Sequence, residues 1–377
     1  MKGKQGMVCM GLLLVLSSCH TGKQITASGL QRKDFQTEVN GQHTDLFTLS
    51  NKQGMEVCIT NYGARVVSIL VPDRNGKRED VVCGFSTITE YMEQRQNFGS
   101  TVGRYIGRIL NARFTLDGVE YKLVPNNGKS GHISHGGNPG FADRIWKVEQ
   151  ADTYRVRLSY LSPDGENGFP GNLKVTLVYS LGEDDNALDL TYEATTDAPT
   201  VLNLSHHSFF NISGNFTKSV EDQQLWVDAD RFTPYDDKKC VTGEYLQVAG
   251  TPLDFRMPHA IGECIDADHP QLKVVNGYDH TWELNTKGDD TRPAAWVYDP
   301  ASGRKMEIFT TEPGMQIYTG NGLKGKMTGK RGIAYPFRSA VCFETMHFQD
   351  SPNQPGFPST VLRPGEVFRS HTVYKFE

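Results

Sequence analysis

NLKVTLVYSL, residues 172–181, sets Leu173, Val175, Leu177 and Tyr179 alternately with Lys174, Thr176, Val178 and Ser180. A period of two places one set on each face of an extended chain, which predicts a half-buried β-strand. The same reading holds for RVRLSYL (155–161), ALDLTYEAT (187–195) and MEIFTTE (306–312). Between such runs stand turn residues: Asp73-Arg74-Asn75-Gly76, Asp117-Gly118, Asn127-Gly128, Pro163-Asp164-Gly165 and Pro170-Gly171. Helical periods are scarce. STITEYMEQ (86–94) predicts one short helix that a Ser or Thr would cap. Strands do not alternate with long helices, which disfavours a doubly wound sheet. Strand patterns run from about residue 35 to the C-terminus without a linker. One large all-β domain over residues 35–377 follows, and a large antiparallel β-sandwich is the default architecture for that pattern.

The chain has 377 residues and a net charge of −5. A nucleic-acid surface is disfavoured, because such domains carry a basic excess. No charge block, low-complexity tract or fixed-period repeat occurs. The first residues read differently from the rest. Lys2 and Lys4 precede an apolar run from Met7 to Leu16, then small residues. This is the pattern of an export signal, and it is too short for a mature spanning helix. Leu16-Ser17-Ser18-Cys19 resembles a bacterial lipobox, which implies cleavage before Cys19 and lipid attachment to its sulfur. An ordinary cleaved signal beside a chance cysteine is the plainer alternative. Loss of residues 1–18 removes two lysines and no acid, moving the charge from −5 to −7. Residues 19–34 are expected to form a flexible tether. The resulting expectation is an exported bacterial protein, periplasmic or outer-membrane associated, that meets the membrane only through a lipid.

Seven cysteines are present. Cys9 lies in the signal and Cys19 is the anchor candidate. Cys58, Cys83, Cys240, Cys264 and Cys342 are odd in number, widely spaced and without a CxxC pair. Neither a disulfide framework nor a zinc site is supported, and mostly buried free thiols are expected.

Polar residues interrupt the strand patterns in five places. Arg104 and Arg108 stand in VGRYIGRILNARFTLDG (102–118), four apart, so both could face one side of a strand or simply lie on the surface. His135 precedes Gly136 and Gly137, which permit close approach of backbone or ligand, though a plain turn histidine is as common. In NLSHHSFFN (203–211) the adjacent His206 and His207 point to opposite faces of a strand. His207 shares a mostly polar face with Asn203, Ser205, Phe209 and Asn211. His206 shares an apolar one with Leu202, Leu204 and Phe210. Parity therefore selects His207 for chemistry and leaves His206 structural, provided no bulge interrupts the strand. Asp279 and His280 alternate in NGYDHTWEL (276–284). Glu344 sits in the apolar context AVCFE, where a carboxylate is either salt-bridged or tuned for proton transfer. His43, His132, His259, His269, His347 and His371 are scattered and default to surface or structural roles. No G-x-S-x-G, H-E-x-x-H or P-loop motif is found.

VGRYIGRILNARFTLDG, SHGG, SPDGENGFPGNLKVTLVYSL, NLSHHSFFNISG, GYDHTWEL, PGMQIYTGN and CFETMHFQDSPN occur in this order. In that set the chain resembles the aldose 1-epimerase (galactose mutarotase) family over residues 35–377. The resemblance implies a galactose mutarotase-like supersandwich with a sugar cleft on one sheet. It implies interconversion of α and β anomers of free aldohexoses such as galactose and glucose, without cofactor or metal, by a monomer or weak dimer. It assigns the catalytic base to Glu344 and the catalytic acid to His207, in agreement with parity. It assigns substrate-binding roles to Arg108, His135, Asp279 and Gln316. The chain departs from the family pattern at Gly107, where Asn is frequent, at His206, and at Met346 and Gln349, where Gln and Pro are usual. These departures leave acid and base in place and bear on sugar preference. The expected mechanism starts with Glu344 ionised and His207 protonated. Three rival readings remain: a sugar-binding lipoprotein, a sugar-phosphate epimerase, and a glycoside hydrolase with Asp279 and Glu344 as its carboxylates.

Overall fold

The computed structural model describes residues 24–377. Among them, a nine-stranded antiparallel sheet carries the segments on which the sequence reading began. Its spatial order is Lys147–Ala151, Arg155–Ser162, Leu173–Leu181, Ala187–Thr196, Phe368–Phe376, Lys305–Thr310, Ala295–Tyr298, Gln224–Val227 and His259–Ala260. The period-two reading holds except at Thr176, which is buried. Leu173, Val175, Leu177 and Tyr179 are buried, Lys174 is exposed, and Val178 and Ser180 are partly covered.

A six-stranded antiparallel sheet lies against it, ordered Phe209–Phe210, Val341–Met346, Gly314–Tyr318, Asp279–Glu283, Arg231–Thr233 and Leu246–Gln247. The two layers meet through side chains from both. Phe210 and Tyr374 have ring centroids 5.0 Å apart. The Tyr374 hydroxyl donates to the Phe343 carbonyl at 3.0 Å. Thr345 and Thr372 share a hydroxyl hydrogen bond of 2.7 Å. A four-stranded sheet, Leu46–Ser50, Glu56–Thr60, Arg65–Pro72 and Arg78–Asp80, adds to the same core. The expected antiparallel β-sandwich is thus present.

Local signals are also realised. Asp117 and Gly118 both have positive φ, 51° and 80°, and close the hairpin of Arg113–Leu116 with Val119–Lys122. A two-residue primed turn of this kind matches the right-handed twist of the strands it joins. The short helix runs Ile88–Gln94, and Thr87 caps it in a capping box with Glu90. Cys58, Cys83 and Cys342 are buried free thiols, and Cys240 and Cys264 are half-buried free thiols.

The expected flexible tether over 19–34 is corrected for residues 24–34. Ile25 bridges to Gln31, Leu30 is buried, and Arg32 pairs with Asp45 at 2.5 Å. The backbone N–H groups of Ala27 and Ser28 donate to the Glu56 carboxylate at 3.0 and 3.1 Å. A buried carboxylate needs such donors, and the segment is ordered by supplying them. The signal, Cys19 and residues 20–23 lie outside the described residues. Among the described residues no helix is long and apolar enough to cross a membrane.

Candidate active site

The strand Val341–Met346 is buried along its whole length. Its two faces differ. Phe343 and Thr345 enter the interlayer core, while Cys342, Glu344 and Met346 point the other way, as strand pleating requires. The neighbouring strand places Gln316 opposite Glu344 and Tyr318 opposite Cys342. The next places Thr281 opposite Gln316 and Asp279 opposite Tyr318. These residues form a polar floor on the sheet. Above it lies a cavity of about 250 Å³. That is below the ~300–1,000 Å³ usual for drug-sized ligands and suits a single hexose.

His207 reaches this cavity from a short strand, Ser205–His207, paired to Ser100–Val102. The chain breaks at Ser208 and resumes in the six-stranded sheet at Phe209–Phe210. The predicted unbroken strand is therefore replaced by two short ones in different sheets. Parity survives locally, since His207 and Phe209 line the cavity. It fails further out. Asn203 instead exchanges hydrogen bonds with the His347 backbone at 3.0 Å each way. Asn211 accepts from Gln223 at 2.7 Å and donates to the Ser339 carbonyl at 2.8 Å. Buried polar side chains satisfy loop backbone there. His206 turns away from the cavity, with Nε2 2.7 Å from Ser208 Oγ and Nδ1 3.3 Å from the Tyr179 hydroxyl. Burial lowers its pKa to about 3, so it is a neutral structural imidazole.

His207 Nε2 lies 3.3 Å from Glu344 Oε1. Its Nδ1 faces Cys342 Sγ at 3.6 Å, and its ring stacks on Phe209 at 5.0 Å. Burial pushes Glu344 well above the ordinary carboxylate range, and the nearby Asp279 adds to this. Burial pushes His207 well below the ordinary imidazole value, with His135 adding repulsion. Both directions favour one proton held between the two groups in their uncharged forms. They run against the expectation that His207 begins as an imidazolium, because desolvation penalises the charge. Cys342, His207 and Glu344 could offer ligand atoms within 4.8 Å of one another. Their shortest contacts use different ring nitrogens, Nδ1 toward Cys342 and Nε2 toward Glu344.

His135 sits in the predicted glycine loop with φ 52°. A Cβ on Gly136 would stand 2.0 Å from the Gly103 carbonyl oxygen, so only glycine lets the loop lie against that backbone. Burial, with Arg108 adding repulsion, lowers His135 to about 4, and its Nδ1 is buried without a hydrogen-bond partner. Arg108 lines the cavity and donates to the Lys239 carbonyl at 3.2 Å. Arg104 does not share its face. Its guanidinium is buried and donates to Ser162 and to the Pro170 and Gly171 carbonyls, the last two at 2.7 and 3.0 Å. The reason is local: only Arg108–Ile109 is strand here, so a period of two does not link the arginines.

Asp279 accepts from Gln316 Nε2 at 2.6 Å, and burial raises its pKa. Gln316 Oε1 accepts from Thr281 Oγ1 at 2.5 Å. Glu344, His207, Arg108, His135, Asp279 and Gln316 thus all border one cavity. Sequence reasoning missed Gln96, Asn97 and Tyr318, which also line it. Tyr318 was within reach, being two residues from Gln316 on one strand. Gln96 and Asn97 follow the short helix in a loop that carries no periodic signal. His132, His259, His347 and His371 lie elsewhere, as expected. His347 pairs with Glu312 at 2.7 Å, and His371 bridges Asp189 and Asp290.

The aldose 1-epimerase family model matches residues 45–375. Galactose mutarotase of Bos taurus is 40% identical over 331 residues, covering 88% of this chain and 93% of that protein. Aldose 1-epimerase of Escherichia coli K12 is 36% identical over 340 residues, covering 89% and 96%. Among solved structures, an aldose epimerase homologue from C. elegans superposes with TM-score 0.81 at 31% identity, covering 89% of this chain and 99% of that one. Galactose 1-epimerase from Lactobacillus acidophilus gives TM-score 0.78 at 28% identity, covering 90% and 96%. The chain belongs to the aldose 1-epimerase family.

Proposed function

We propose that the protein is a mutarotase that interconverts the α and β anomers of free aldohexoses such as galactose and glucose. The observation that carries this reading is the Glu344–His207 contact of 3.3 Å at the floor of a hexose-sized cavity. Mutarotation moves two protons on one ring. One leaves the C1 hydroxyl and one arrives at the ring oxygen as the C1–O5 bond breaks. The open aldehyde turns about C1–C2, and closure reverses both transfers. A pair that holds one proton does this without a net gain or loss. A C1 hydroxyl donating to Glu344 stabilises its carboxylate and drives the shared proton onto His207. Glu344 then acts as base and His207 as acid, roles that a carboxylate and an imidazole fill near neutral pH. No cofactor is required, because only protons move. Arg108 and His135 border the oxygens where negative charge develops. Asp279 and Gln316 orient ring hydroxyls, and a misplaced ring loses rate steeply.

The rivals are weaker on specific grounds. Among the described residues Arg108 is the one guanidinium lining the cavity, beside two carboxylates, which is poor for a phosphate. Asp279 and Glu344 rise from the same sheet face, with one strand between them, and do not flank a bond from opposite sides. A sugar-binding protein would not need the acid–base pair. Polarimetry on freshly dissolved α-D-galactose and α-D-glucose tests the reading. Accelerated decay of rotation is expected. Decay at the buffer rate, with sugar binding detected by calorimetry, would instead support the binding protein.

The chain reads further as an exported lipoprotein anchored through Cys19, on the strength of the lipobox-like Leu16–Cys19 alone. Such a mutarotase would act on sugars released outside the cytoplasm. Metabolic labelling with a radioactive fatty acid checks this. Label in the wild type that Cys19→Ala loses is expected, and a soluble cytoplasmic product in both would refute it.

A further inference from the structure

We infer that Gln349, admitted to the cavity wall by Gly107, is a specificity-determining residue that accepts a hydrogen bond from one sugar hydroxyl. The inference deepens the mutarotase reading and rests on it. A carboxamide has two N–H donors and an acceptor oxygen with two lone pairs. Both donors of Gln349 are committed. Nε2 donates to the Tyr235 hydroxyl at 2.7 Å and to Gln316 Oε1 at 3.3 Å. Oε1 accepts from the Arg108 backbone N–H at 3.3 Å, which uses one lone pair. The remaining capacity is a single acceptor, held rigidly in a side chain that lines the cavity and is 5% exposed. A hydroxyl donor matches it. A ligand group that can only accept does not.

The same amide fixes its neighbour. Gln316 Oε1 receives hydrogens from Thr281 and Gln349, so its Nε2 must face Asp279. Gln349 therefore acts on the sugar directly and through the orientation of Gln316. Space for it is made by residue 107. A Cβ there would stand 2.5 Å from Gln349 Cγ, and φ is 75°, a conformation that favours glycine. Gly107 and Gln349 are two of the positions where the chain departs from its family, and here they are in contact.

The test compares D-galactose with its analogues deoxygenated singly at C2, C3, C4 or C6, by polarimetric kcat/KM, in wild type and Gln349→Met. Methionine keeps length and shape and removes the amide. In the wild type each analogue that lacks a contacted hydroxyl should lose rate, and the one that lacks the hydroxyl facing Gln349 is expected to fall roughly 3–10-fold below galactose, the size of one neutral hydrogen bond. In Gln349→Met galactose itself should drop to that analogue's level through KM, erasing the difference at that carbon and leaving the differences at carbons that neither Gln349 nor Gln316 meets. An equal loss for every sugar would reduce Gln349 to a structural role and overturn the proposal, as would no loss at all. Gly107→Ala should lower kcat/KM, and adding Gln349→Ala should restore part of it. Additive losses would overturn the steric link. If the wild type does not accelerate mutarotation, the function is wrong. The same analogues titrated calorimetrically into both proteins then decide whether Gln349 reads a hydroxyl.

Discussion

Glu344 and His207 work as one titrating unit, so their pKa values belong to the pair. Burial raises the carboxyl and lowers the imidazole. The active form holds one proton. Activity is lost on the acid side when the pair gains a second proton and on the alkaline side when it loses its only one. Because His207 is shifted downward, the acid limb of kcat/KM should fall below the ordinary histidine value of ~6.5. A pH–rate profile by polarimetry checks this, and an acid limb centred above that value would contradict the assignment. Glu344→Gln keeps the shape of the site and removes the base. Turnover should fall by about 10²–10⁴-fold while calorimetry still detects sugar binding. Near-wild-type turnover would rule out Glu344 as the base. Parity along NLSHHSFFN selects His207 over His206, and the cavity is lined by His207.

Loops position what the strands cannot. The His135 loop lies flat against the backbone at Gly103 because residue 136 has no side chain. Gly136→Ala should displace His135, lowering kcat/KM at least tenfold and reducing thermal stability together. A fully active, equally stable variant would show that the loop adapts. The helix Ile88–Gln94 is held at its start by Thr87 and Glu90. Thr87→Ala should cost about 1 kcal/mol in denaturant unfolding. It leads into Gln96 and Asn97 in the cavity wall, so a modest rise in KM is expected as well. The helix and its cap were legible from STITEYMEQ. The cavity role of the residues after it was not, because a loop side chain is placed by its neighbours in space and not by a period.

At the scale of the whole molecule, His371 joins three segments. Its ring nitrogens meet Asp189 at 2.5 Å and Asp290 at 2.6 Å. The Asp189 hydrogen bond, with Asp290 adding to it, raises its pKa to about 9 against the desolvation of a half-buried ring. A raised value means stability that is full below ~6.5, where the unfolded chain is also protonated, and is lost as pH rises through about 9. The melting temperature should decline over that window, and His371→Gln should flatten the decline. An identical slope in the variant would dismiss the clamp. Lys330 and Asp80 form a buried ion pair at 2.5 Å between a late loop and an early strand. Asp80→Asn strands a buried ammonium and should cost ~3–5 kcal/mol, measured by denaturant titration.

Strand identity, turn positions, the antiparallel β class and the order of the polar motifs were determined by local sequence. Side-chain period and turn chemistry are short-range properties, readable within about ten residues. Four other features were decided only by tertiary structure. Arg104 braces a distant loop, and residues 24–34 pack against Glu56. The histidine strand breaks between sheets, and Gln349 fills the space that Gly107 leaves. Each depends on which remote segment comes to lie alongside, and buried polar groups take whatever partner that packing brings within reach.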